Sequence, residues 1–205
     1  MKRLPFTAES HLAGAADGVR AALAGGGIVA LPTETFYGLA VRPDDETAVR
    51  RVYALKGRPA DRALLVVAAS TAQLAPWVRI ASQWRARLEA VWPAPVTVVL
   101  ASAGAAAAAG ATTLAVRVPA YPLLRELLAE VGPLTATSAN ASGAPACTRP
   151  DDVARALGHG LALLLDGGET PGGAATTLLD LTAEPPRVLR SGAWRPPESW
   201  GVKAV

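Results

Sequence analysis

Nothing in this chain narrows its fold as sharply as residues 28–67, IVALPTETFYGLAVRPDDETAVRRVYALKGRPADRALLVV. The apolar run 28–31 reads as a short buried strand and leads directly into a Pro-Thr-Glu-Thr turn. Asp44 and Asp45 sit where a helix N-terminus favours negative charge. A helix over about 46–56 then turns Val49, Val52 and Tyr53 inward. It stops at Lys56-Gly57-Arg58-Pro59. Residues 64–68 follow as a continuous apolar strand, the kind a sheet covers on both faces. Strand, helix and strand in this order ask for a layered α/β core. The ends of these elements carry hydroxyls and fixed cations, which is how a protein holds a small anionic substrate.

The flanking sequence extends the same intermixing. Residues 10–25 predict a helix with Ser10 as its cap, Leu12, Ala16, Val19 and Leu23 on one face, and the Gly25-Gly26-Gly27 run as its stop. Ser70 and Gln73 read as a capping box, and Trp84, Leu88, Val91 and Trp92 fall at helical spacing. Strands over 96–100 and 114–118 bracket 105–109, a low-complexity connection expected to be mobile or weakly helical. Helices over 123–131, closed by Gly132, and over about 151–157 complete the helical set. The remaining strands fall at 134–137, 161–165, 177–181 and 187–189, and the tail after Trp194 is expected to be irregular. With no repeat and no domain boundary, 1–205 reads as one α/β domain: a mixed, twisted sheet flanked by helices.

Hydrophobic residues make up 51% of the 205 and charged residues 18%, enough for a substantial core. The net charge of +3 is too small for a dedicated nucleic-acid arm and compatible with an anionic ligand. One cysteine, Cys147, rules out an intramolecular disulfide, and the two histidines, His11 and His159, give no zinc spacing. Pro5, Glu9, His11 and Asp17 interrupt any apolar run behind Lys2 and Arg3. No segment approaches the roughly 18–20 apolar residues that cross a bilayer. The expectation is a soluble, cytoplasmic protein without a membrane partner.

Four groups of residues could carry chemistry. Lys56, Arg58 and Arg62 put a flexible point charge and two planar forks beside one helix end, a set suited to a polyphosphate, although a solvated helix terminus explains Lys56 alone. Thr33 and Thr35 follow a strand directly, where open α/β sheets bind ligands, and they also suit an ordinary capped turn. Ser138 and Asn140, two apart, share one side if the backbone is extended; a simple Asn/Ser/Gly turn is the alternative. Arg117 interrupts an apolar strand, so it faces solvent, pairs with a carboxylate or points into a cleft. Arg190 poses the same question. No phosphate loop of the GxxxxGK[ST] type and no strand-linked GxGxxG is present, and no Ser-His-Asp set forms. Cys147 has no activating partner in the sequence.

Taken in order, these segments resemble the YrdC-like family in its short form, over about residues 10–195. Lys56/Arg58 and Ser138/Asn140 match its paired Lys-x-Arg and Ser-x-Asn signature. The Pro-Thr-Glu-Thr-x-Tyr-Gly-Leu run matches at 32–39, the Trp-Pro-Gly-Pro-x-Thr element at 92–97 and the Thr-x-Ala-Val-Arg-x-Pro element at 113–119. Departures fall at Arg62, Ala63, Ala94 and Thr176. The resemblance implies a twisted α/β sheet with a basic concave groove. It also implies an activity: L-threonine, bicarbonate and ATP become threonylcarbamoyl-AMP and pyrophosphate, with Mg2+ accompanying ATP. The product passes to a separate transferase that modifies tRNA. Carried over by motif, Thr35, Arg117 and Ser138 bind threonine, and Arg58, Arg62, Thr113, Asn140, Thr148 and Arg190 bind ATP. Lys56 and Arg58 carry the phosphate or carbamate charge. Glu34 could be a base or a Mg2+ contact, or simply structural. The competing readings are an RNA-binding protein that uses the same groove without catalysis, which would make weak RNA binding a further partner, and a related carbamoyl-adenylate-forming enzyme.

Overall fold

The structure is a computed structural model and describes residues 1–59 and 63–204. In chain order its elements are β1 (Lys2–Pro5), α1 (Leu12–Ala24), β2 (Ile28–Pro32), β3 (Tyr37–Ala40), α2 (Glu46–Lys56), β4 (Val66–Val67), α3 (Thr71–Leu74) and β5 (Val78–Arg79). The middle of the chain adds α4 (Ser82–Val91), β6 (Val96–Ser102), β7 (Thr113–Arg117), α5 (Pro122–Val131), β8 (Leu134–Thr135) and β9 (Thr137–Ser138). The last third holds α6 (Pro150–Leu157), β10 (Leu161–Asp166), β11 (Thr177–Asp180), β12 (Arg187–Arg190) and β13 (Lys203–Ala204).

The strands form two mixed sheets where the sequence suggests one. The first runs β1-β10-β2-β3-β9, and the second runs β13-β12-β11-β6-β7-β4-β8, with β5 added beside β6. Segment 134–138 explains why they are hard to separate by eye. Leu134 and Thr135 pair antiparallel with β4, whereas Thr137 and Ser138 pair with β3. Between them Thr135 N donates to Val41 O and Ala136 N donates to Leu65 O. One segment therefore passes from one sheet to the other, and a reading by periodicity alone joins its halves into one strand.

Two cores follow from this arrangement. All five residues of β2 are buried, and alternation sends Val29 and Leu31 into one core and Ile28 and Ala30 into the other. The first core packs α1 and α5 on the first sheet through Val19, Leu23, Leu124 and Leu128. The second lies between the sheets and under α2 and α4. Helix α2 is well defined at both ends: Asp45 accepts from Ala48 N, and Gly57 takes φ 60°, a left-handed value glycine adopts without strain. That turn lets Arg58 N donate back to Tyr53 O and sends the Arg58 side chain on its way to the site.

Other expectations need correction. The strand expected over 64–68 shortens to β4, and β3 is a strand beyond those expected, directly after the Pro-Thr-Glu-Thr turn. Tyr37, Gly38, Leu39 and Ala40 are all buried, so tertiary pairing decides against glycine's local preference. The capping box is offset: Gln73 N donates to Ser70 Oγ, but Gln73 Oε1 accepts from Ala69 N. The run 105–109 is held, as a short 3-10 turn, because Leu64 N donates to Ala107 O and Ala107 N to Pro43 O, with Ala107 and Ala108 buried. The tail is also anchored. Trp200 is buried with its ring 5.4 Å from Trp84 and 5.5 Å from Trp194, and β13 extends the second sheet. No helix among the described residues is long and apolar enough to cross a membrane.

Candidate active site

Both sheets contribute walls to a cavity of about 380 Å3. Its lining includes Thr33, Thr35, Arg58, Arg117, Ser138 and Arg190, six of the candidates singled out from sequence. Thr97, Thr137 and Thr176 join them.

The β2–β3 turn is organised by Thr33. Its Oγ1 accepts from the backbone N of Thr35 and of Phe36 and donates to Phe36 O at 2.7 Å. The turn so fixed presents the Thr35 hydroxyl, 3.2 Å from Thr33 Oγ1, at the cavity wall. Thr35 O accepts from Gly172 N, and Tyr37 OH donates to Gly168 O while accepting from Gly167 N. These bonds tie the glycine-rich segment before β11 to the same wall. Burial pushes the Tyr37 hydroxyl up to about 12, so it stays a donor.

Arg58 reaches the cavity from beyond α2, donating through Nη1 to Thr137 Oγ1 and through Nη2 to Ala63 O. Lys56 takes a different course. Its side chain is 4% exposed and its ammonium donates to Ser138 O, Asn140 O and Asn140 Oδ1. Desolvation lowers its pKa to about 8, with Arg58 acting the same way and Cys147 against. The structure thus places Lys56 behind the wall, clamping the 138–140 turn. Asn140 does not share the Ser138 side: its backbone N turns back onto Ser138 O at 3.0 Å, so the extended backbone that premise needs is absent. Its amide donates to Ala141 O and Ala144 O.

Arg117 is 4% exposed, lines the cavity at the end of β7 and has its Nη1 3.0 Å from Glu34 Oε1. Both the cleft and the carboxylate pairing foreseen for it are therefore present. Burial pulls its pKa down, Glu34 opposes that, and Arg190 adds to it; a guanidinium keeps its proton regardless. Arg190 curls onto Thr176, donating from Nε and Nη2 to Thr176 O, and Thr176 Oγ1 lies 2.9 Å from Thr97 Oγ1.

Thr113 and Thr148 are not among the lining residues. Thr113 lies at the far end of β7, two residues beyond the lining Ala115, and Thr148 offers its carbonyl to Thr170 N. Arg62 lies outside the described residues. The lining hydroxyls missed from sequence had a usable signal. Thr97, like Arg117, is a polar residue set within an otherwise apolar stretch of strand. Among the described residues no group of three or more His, Cys, Asp or Glu could hold a metal ion.

Two sheets closing on a cavity lined by three arginines and several hydroxyls define the class: an α/β protein with a hydrogen-bond-donor-rich site between its sheets. The chain belongs to the Sua5/YciO/YrdC family, whose model, described as telomere recombination, matches residues 21–192. It is 39% identical over 172 residues to the threonylcarbamoyl-AMP synthase of Pyrococcus abyssi, covering 82% of this chain and 51% of that protein. It is 36% identical over 178 residues to the protein of that name from Vibrio cholerae strain O395, covering 83% and 94%. The crystal structure of P. abyssi Sua5 complexed with L-threonine superposes with a TM-score of 0.82 at 36% identity, covering 93% of this chain and 57% of that one. The chain thus spans about half the length of the Pyrococcus relative and nearly all of the Vibrio one.

Proposed function

We propose that this chain is a nucleotidyltransferase that makes threonylcarbamoyl-AMP and pyrophosphate from L-threonine, bicarbonate and ATP, for tRNA modification in the cytoplasm. One observation carries the reading: residues from five distant segments, Thr35, Arg58, Arg117, Ser138 and Arg190, meet on one cavity in a chain whose relatives bear that enzyme's name.

The Arg117 guanidinium suits the threonine carboxylate, and the Thr35 and Ser138 hydroxyls suit its remaining polar atoms. The amine attacks the carbon of CO2 and loses a proton to give a carbamate; with bicarbonate as the source the same attack also expels water. A carbamate oxygen then attacks the α-phosphorus and pyrophosphate leaves. Negative charge builds on the phosphoryl oxygens, so fixed cations aimed at them lower the barrier, a role this proposal gives to Arg58 and Arg190. Holding three reactants together supplies much of the remainder. Mg2+ belongs here to ATP as its chelate and neutralises phosphate charge, since such ions bind mainly through substrate phosphates. Lys56 and Asn140 act by holding the Ser138 turn. Thr113, Thr148 and Arg62 are proposed for the outer part of the nucleotide. The product goes on to a tRNA-modifying transferase.

The test is pyrophosphate release by purified protein with ATP, Mg2+ and bicarbonate. Release should depend on L-threonine and saturate with it. Release indifferent to L-threonine would discard the proposal.

A further inference from the structure

Glu34 carries a charge that this mechanism does not use. It stands between Thr33 and Thr35, which both line the cavity, yet its own side chain does not. Both carboxylate oxygens are shut off from solvent and accept no hydrogen bond among the described residues. Oε1 instead lies 3.0 Å from Arg117 Nη1, with the two side chains 14% and 4% exposed. A carboxylate buried in this way persists only where a cation compensates it. Arg117 Nε is also buried and has no acceptor among the described residues. The guanidinium is therefore engaged at one end from behind and keeps donors unspent at the cavity. Because its donors lie in one rigid plane, a fixed anion at Nη1 decides which edge meets a ligand. The pair also links the β2–β3 turn of the first sheet to β7 of the second.

We propose that Glu34 is a positioning residue that holds the Arg117 guanidinium in the plane that receives the substrate carboxylate, and so sets threonine affinity. This rests on Arg117 being the carboxylate contact. Without Glu34 the buried cation loses its counter-charge while Arg190 still repels it, so it relaxes towards water and gives up its fixed plane.

The test is calorimetric titration of L-threonine and of β-hydroxybutyrate, a carboxylate without the amine, into wild type, Glu34→Gln, Glu34→Asp, Arg117→Ala and the Glu34→Gln/Arg117→Ala double variant. Steady-state kinetics run beside it. Glu34→Gln should weaken both ligands by about tenfold or more, the worth of a hydrogen bond to a charged group. It should raise the threonine KM and leave the ATP KM unchanged. Glu34→Asp, which restores the charge, should recover part of the loss. In the Arg117→Ala background Glu34→Gln should change nothing further. Unchanged threonine affinity in folded Glu34→Gln would overturn the proposal. So would a loss confined to the amine-bearing ligand, or one that persists undiminished without Arg117. If Glu34→Gln does not fold, Glu34→Asp decides through the same two ligands: a smaller loss for both supports the proposal and unchanged affinity rejects it. Wild type that binds neither carboxylate overturns the Arg117 contact and this proposal together. Wild type that binds them without releasing pyrophosphate sinks only the adenylation reading.

Discussion

Lys56 and Arg117 are both buried cations, and their surroundings give them different work. Arg117 faces one carboxylate and a cavity, so part of its hydrogen-bonding capacity is available to a ligand. Lys56 meets three protein oxygens and has no donor to spare. Its pKa makes this arrangement testable. An ordinary lysine titrates at 10.5 and burial brings Lys56 to about 8. Below pH 8 both folded and unfolded chains hold the proton, and the desolvation cost is carried in full. Between 8 and 10.5 the unfolded chain binds more protons than the folded one, so stability through this group rises with pH. The difference in unfolding free energy between wild type and Lys56→Met should therefore move in favour of wild type across that window. Urea titrations at fixed ionic strength check it, and a difference that stays flat with pH rejects the buried-lysine assignment. The Lys-x-Arg spacing was legible in the sequence. That its two cations face different partners was not, because Gly57 ends the helix between them and turns the chain.

Elements with strong local signals appear where the sequence puts them. Helix α2 has an acidic cap and a left-handed glycine, and α5 has proline at its start and Gly132 after its end. Elements held by pairing alone were legible in place but not in extent, the strands expected over 64–68 and 134–137 being longer than what forms. β4, β8 and β9 are two residues each and exist only because partners from distant segments supply their ladders. The segment before β11 depends on a close backbone approach of the same kind. A Cβ on Gly192 would sit 2.3 Å from Ala175 O and 2.5 Å from Thr177 N, while Gly192 N donates to Thr177 Oγ1. Gly192→Ala should cost about 1–3 kcal/mol by overpacking. It should also raise the ATP KM, since moving Thr176 releases Arg190. Thermal unfolding and steady-state kinetics read the two effects, and an unperturbed ATP KM in a destabilised variant would separate Arg190 from the nucleotide.

At the scale of the whole molecule the two cores divide the labour. The core under α1 and α5 packs on the first sheet and on β4 and β8 of the second, while the other core lies between the sheets whose edges form the site. Leu128 is fully buried in the outer core. Leu128→Ala should lower stability by about 2–5 kcal/mol through lost burial and a residual cavity. The threonine KM of the folded fraction should stay as in wild type. A urea midpoint and a threonine titration on one preparation test this, and a KM that shifts with the midpoint would show that the outer core shapes the site.

Composition, periodicity and capping residues settle the α/β class, the longer helices and the residue types of the site, because those signals act over a few neighbouring positions. Which hydroxyls and cations share a cavity was decided elsewhere. Segment 134–138 changes sheets, Lys56 clamps the 138–140 turn, and Glu34 finds Arg117 across the gap between sheets. These are contacts between residues far apart in the chain, and their energies exist only once burial has removed water from both partners.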